Sequence, residues 1–118
     1  MTTRQLAVEW IRNHHPSEAS NPLRSSRFHP EKEIWFFTFP STFFDAERVG
    51  FLNISCQMQA SSTNFHYLMV PFSYFRENHD KLNIRSSGEK FDLHISGKTK
   101  NWLVDERSDN VSFVVFEQ

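Results

Sequence analysis

Apolar residues along this chain recur with two periods. Leu6, Ala7, Trp10 and Ile11 fall on one stripe at helical spacing and predict an N-terminal helix over residues 3–14. Thr2 with Gln5 matches a capping box at its start, and Pro16 stops it. Trp10 reads as the ring that anchors this helix on a sheet. Residues 16–30 carry three Pro, four Ser and no periodicity, and read as a loop.

From there the period becomes that of strands. Residues 33–39 (EIWFFTF) are apolar on both faces, which predicts a central or doubly covered strand ended by Pro40. Ser41–Arg48 fits one or two helical turns, with Ser41 or Thr42 as cap and Phe43 and Phe44 packed inward. Residues 50–59 alternate. Leu52, Ile54, Cys56 and Met58 share one face, and Asn53, Ser55, Gln57 and Gln59 share the other, the pattern of a half-buried strand with a polar open face. A hairpin turn over 60–64 leads to a strand at 65–70. A helix then begins at Pro71 or Phe72, with Phe72, Phe75, His79 and Leu82 on one face. Asn83–Arg85 is extended and 86–89 turns. Phe91, Leu93 and Ile95 alternate with Asp92, His94 and Ser96, and a last hairpin pairs 102–105 with 111–116.

Two segments look alike. FFTFPSTFFDAERVGFLNIS (36–55) aligns with YLMVPFSYFRENHDKLNIR (67–85), matching Pro40 to Pro71, Phe44 to Phe75 and Leu52-Asn53-Ile54 to Leu82-Asn83-Ile84. Each reads strand, Pro, short aromatic helix, strand. A duplication of this kind would place two equivalent short helices on one side of a shared sheet. The fold class that follows is a single α+β domain over 1–118. It has an N-terminal helix (1–15), a loop (16–30) and a β-rich core (31–118). The core is a mostly antiparallel sheet of five to seven strands with one or two short helices.

Composition narrows the function. Thirteen Phe among 118 residues point to a Phe-rich core. Three Gly argue against Gly-rich phosphate loops, and a net charge of −1 supplies no global field for polyanions. Residues 1–30 hold four Arg against two Glu, a local excess of +2 that leaves −3 for the rest. The single cysteine, Cys56, allows no internal disulfide and suits a reducing compartment. The first residues, MTTRQLAVEW, do not read as a signal peptide, and no apolar run approaches a membrane span. The expected location is the cytoplasm, with no membrane partner.

Catalytic and metal motifs are sparse. HxH, HxxxH, HExxH, CxxC, GxSxG, a P-loop and Glu-x-Lys are all absent, and no cofactor is expected. The best ligand set that strand alternation allows is His66, Asp92, His94 and Asp105, which would serve a small metal-dependent enzyme. Cys56 lies on an apolar face with no activating neighbour.

The leading expectation is non-catalytic recognition of nucleic acid. Val70-Pro71, Phe75-Arg76, Leu82-Asn83-Ile84 and Gly88-Glu89 follow a strand–Pro–helix–hairpin order. That order loosely resembles the swapped-hairpin DNA-binding domains of the AbrB type, over about 30 residues and with a longer helix than that pattern has. The surface it names comprises Arg76, Lys81, Arg85 and Lys90, joined by Lys98, Lys100, Arg24 and Arg27. The seven bases between positions 76 and 107 stand against six acids, the balance of an ordinary solvated surface. The alternative is a protein-interaction or self-assembly module that uses Phe43, Phe44, Phe72 and Tyr74, or a strand edge, toward a partner or a second copy.

Overall fold

The computed structural model describes residues 1–59 and 62–118. Helix α1 spans Thr3–His14, and seven strands follow: β1 (Leu23–Ser26), β2 (Phe28–His29), β3 (Ile34–Pro40), β4 (Phe51–Gln57), β5 (Phe65–Pro71), β6 (Asn83–Ile84) and β7 (Lys90–Ser96). A short helix α2 (Phe72–Glu77) separates β5 from β6, and a 3-10 turn at Ser41–Phe44 separates β3 from β4. The strands form two sheets rather than one. A mixed three-stranded sheet runs β1-β4-β5, with β1 parallel to β4. An antiparallel four-stranded sheet runs β2-β3-β7-β6.

The inner faces of the two sheets meet in a core that is largely aromatic. Trp35, Phe37 and Phe39 of β3 and Phe91, Leu93 and Ile95 of β7 face Leu52, Ile54 and Cys56 of β4 and Leu68 and Val70 of β5. Phe43, Phe72, Phe75 and Phe113 fill one end. Burying each such side chain is worth roughly 1.5–3 kcal/mol. Trp35 also ties the layers together, donating its indole N–H to the Gln57 carbonyl at 2.8 Å.

Helix α1 forms as its sequence dictates. Thr2 accepts from the Gln5 N–H, and the Gln5 side chain accepts from the Thr2 N–H, a closed capping box. Ala7 and Ile11 are buried, and Trp10 lies 6.0 Å from Tyr67 and 6.3 Å from Phe65 between ring centroids. The helix therefore covers the outer face of the three-stranded sheet.

That coverage corrects the reading of β4. Asn53, Ser55 and Gln57 are buried, not solvent-facing, while Met58, placed on the apolar face, is exposed. Alternation identifies residues that share a face but not whether another layer covers it. The buried polar face is held by hydrogen bonds. Asn53 accepts from Tyr67 Oη and Asn21 Nδ2 and donates to the Glu18 carbonyl, and Gln57 accepts from Thr3 Oγ1 and donates to the Ser62 carbonyl.

Five further expectations change. Residues 16–30 are not a plain loop: they carry a 3-10 turn (Pro16–Glu18), β1 and β2, because the backbone of Leu23–Ser26 finds its partners beside β4. The strand β3 is central but not covered on both faces, since Phe36 is exposed. The turn at Ser41–Phe44 has no side-chain cap; Ser41 Oγ instead donates to the Gly88 carbonyl. Helix α2 stops at Glu77, so His79 lies beyond it, against Phe44. The last hairpin is reduced to single bridges, Ile95 with Asp105 and Val104 with Ser112, and Val114–Phe116 is a 3-10 turn. The predicted 60–64 turn falls partly on residues outside the described ones, but β4 and β5 are antiparallel neighbours as expected.

Candidate functional site

One sheet face is left without a helical cover: the outer face of the four-stranded sheet. Antiparallel register sets its residues in opposed pairs. Phe36 stands across from His94, Thr38 from Asp92, and Pro40 from Lys90. Phe36 is 40 % exposed, and its ring meets that of His94 edge-on, with centroids 5.1 Å apart. At the end of this stripe the β2–β3 turn curls over the sheet. Its residues His29, Pro30, Glu31 and Lys32 join Ile34, Phe36 and His94 around a pocket of about 350 Å³. The turn is tight enough to hold Glu33 at φ 54°, a left-handed conformation uncommon outside Gly, Asn and Asp.

The electrostatics of the face are local. Burial, together with the Arg107 and Lys32 charges, holds the His94 imidazole below its usual range despite the opposing pull of Asp105 and Asp92. His94 is therefore neutral at pH 7, with one nitrogen able to donate and one to accept. Next to it Arg85 holds Asp92 through two hydrogen bonds of 3.0 and 3.1 Å, and Thr38 donates to the same carboxylate at 2.8 Å. The Arg85 hydrogen bonds keep the Asp92 carboxyl below the usual carboxylate range. In return the guanidinium is fixed in orientation on an exposed part of the face. The pocket lining carries no Ser, Thr or Cys that could act as a nucleophile. Its lining mixes the apolar Pro30, Ile34 and Phe36 with the polar His29, Glu31, Lys32 and His94, which suits a flat ring with a hydrogen-bonding edge.

The residues singled out from sequence are scattered by the fold. Arg85 and Lys90 belong to this face. Arg76 does not: its guanidinium donates to the Asp45 and Arg48 carbonyls. Arg24 lies over the Phe39 and Phe43 rings, and Lys98 pairs with Glu106. Lys81, Lys100 and Arg27 are exposed at other points of the chain. The His/Asp set does not converge either. His66 bonds Glu117 between Trp35 and Trp102, and Asp92 is taken by Arg85. Asp105 Oδ1 accepts from the His94 and Arg107 backbone N–H groups. Among the described residues no group of three or more His, Cys, Asp or Glu is placed to hold a metal ion. The interaction set is likewise internal. Phe43 and Phe72 are buried, Phe44 and Tyr74 pack on the core, and the Tyr74 hydroxyl donates to the Ser112 carbonyl. Cys56 is fully buried, and that burial pushes its thiol far up, out of nucleophilic range.

Compared with known proteins, the chain matches no family model, no curated protein and no solved structure. Among the described residues no helix is long and apolar enough to cross a membrane.

Phe36 and Lys32 are the site residues that carry no signal of their own in the sequence. Phe36 lay inside a run of aromatics that read as core. The signal that separates it is its place opposite His94, a polar-face residue of β7.

Proposed function

We propose that this is a non-catalytic recognition domain that binds single-stranded nucleic acid across the outer face of the four-stranded sheet. One observation carries the reading: an exposed aromatic ring, Phe36, on a sheet face that no helix covers, beside a ring-sized pocket whose lining includes two imidazoles. Bases stack on such rings for about 1–3 kcal/mol each, with little sequence preference. Lys32, the fixed Arg85, Lys90 and Arg107 surround the face and offer phosphate contacts without a strongly basic overall charge. Neutral His94 supplies a donor and an acceptor for a base edge. The lone buried thiol of Cys56 supports a reducing, cytoplasmic setting.

A second reading, a protein-interaction surface, is favoured by one feature: Val114 and Val115 stand exposed side by side near the C-terminal end, Val115 at 76 %. The internal duplication is a related proposal. Pro40 and Pro71 share nearly one backbone geometry, φ −70° with ψ 148° and φ −67° with ψ 140°, and each launches a short helical segment.

Fluorescence anisotropy with a labelled oligouridylate at low salt tests the main reading. Binding that weakens with salt, and that drops by about 1–3 kcal/mol in Phe36→Ala, is expected. An unchanged affinity in Phe36→Ala would remove the sheet face as the site.

A further inference from the structure

Three arginines meet where β1, the Ser41–Phe44 turn and α2 come together, and none of them has an acidic partner. Arg24 places its guanidinium carbon 5.4 Å from the centroid of the Phe43 ring, and Arg48 places its own 5.2 Å from the same ring and 5.5 Å from Phe72. Arg76, from α2, donates through one nitrogen to the carbonyls of Asp45 at 3.0 Å and Arg48 at 2.8 Å. It thereby clamps the loop that carries Arg48. Among the described residues no carboxylate lies within ion-pairing distance of any of the three. Every ion pair found lies elsewhere, and the neighbouring acids Asp45, Glu47 and Glu77 make none.

This arrangement differs from an ordinary solvated surface. Two guanidiniums are held against one aromatic ring, so their positions are set by packing rather than by a counter-ion. Neither guanidinium has a counter-ion of its own, so a bound anion would supply the missing partner. A guanidinium presents a planar fork of N–H donors, which suits a tetrahedral oxyanion.

We propose that Arg24 and Arg48 form a binding site for a phosphate group, with Arg76 as the residue that positions Arg48. The ligand chemistry is a phosphate monoester, a pyrophosphate or a backbone phosphodiester. The inference is independent of the sheet-face reading, because it uses none of the residues on that face.

Isothermal titration of the full chain with pyrophosphate, at ionic strength matched with sodium chloride, tests it. The wild type is expected to bind, and Arg24→Gln and Arg48→Gln are each expected to lose about tenfold in affinity, equivalent to about 1.4 kcal/mol. Arg48→Lys, which keeps the charge but not the planar fork, is expected to fall between wild type and Arg48→Gln. Phe36→Ala should bind pyrophosphate as the wild type does, so the two sites fail or succeed separately. Thermal unfolding of each variant checks that it is folded, and should Arg48→Gln not fold, Arg24→Gln and Arg48→Lys carry the test. A single-stranded oligonucleotide that displaces pyrophosphate would assign the site to backbone phosphate. Binding without displacement would assign it to a small phosphate-bearing ligand. No binding of pyrophosphate above the chloride control, or undiminished binding in the folded Arg24 and Arg48 variants, would overturn the proposal.

Discussion

The Tyr67 hydroxyl donates to Asn53 Oδ1 at 2.7 Å, across adjacent strands and beneath α1. This bond lets a polar strand face be buried. Without it Asn53 Oδ1 keeps only the longer contact from Asn21 at 3.3 Å. Tyr67→Phe should therefore cost about 1–2 kcal/mol, read as a lower urea midpoint with an unchanged slope.

The same hydroxyl sets an alkaline limb. Burial, reinforced by the Glu18 charge, pushes Tyr67 up to about 12 from 10.0. Tyr74 is raised too, again chiefly by burial. The folded chain keeps protons that the unfolded chain releases near pH 10. The stability they contribute is full below pH 10 and declines as pH rises towards the folded values. Absorbance titration should show Tyr67 still protonated near pH 10 while the protein is folded, and Tyr74 ionising above its ordinary value. Tyr67→Phe should flatten part of the alkaline loss.

Two aspartates are expected to act in opposite directions in acid. Hydrogen bonds from Arg85, ahead of the one from Thr38, lower Asp92 below 3.8, so its contribution is present above 3.8 and lost as pH falls through the folded value. Burial raises Asp105 above 3.8, and its Oδ2 has no hydrogen-bond partner. Its contribution is full below 3.8 and declines as pH rises through the folded value. Asp92→Asn should weaken the acid loss of stability, and Asp105→Asn should remove the opposite slope. Carboxyl chemical shifts followed across the acid range would assign each.

Gly97 sits against two aromatic rings. A Cβ there would come within 2.7 Å of the Phe28 ring and 3.2 Å of Trp35. Gly97→Ala should cost about 1–3 kcal/mol through displacement of these rings, seen as a lower thermal midpoint.

Much of this fold is legible in the sequence, and the exceptions have physical reasons. The capping box of α1, the strands 34–40, 51–57, 65–71 and 90–96 and the helix after Pro71 all follow from local pattern. The short strands at 23–26 and 28–29 do not, because LRSSRFH lacks alternation and its pairing is set by backbone partners supplied from β4 and β3. The division into two sheets is equally hidden, since register and layer depend on distant contacts. His94 and Asp92 were visible as a polar strand face. Their true partners, Phe36, Thr38 and Arg85, come from strand pairing across the sheet.

The most direct measurement is a two-dimensional NMR titration of the labelled protein with a single-stranded oligonucleotide at low salt. The account predicts shift changes centred on Ile34, Phe36, Thr38, Asp92 and His94, with the β2–β3 turn included and the outer surface of α1 unmoved. Absence of any shift at low salt, or changes confined to α1, would contradict it.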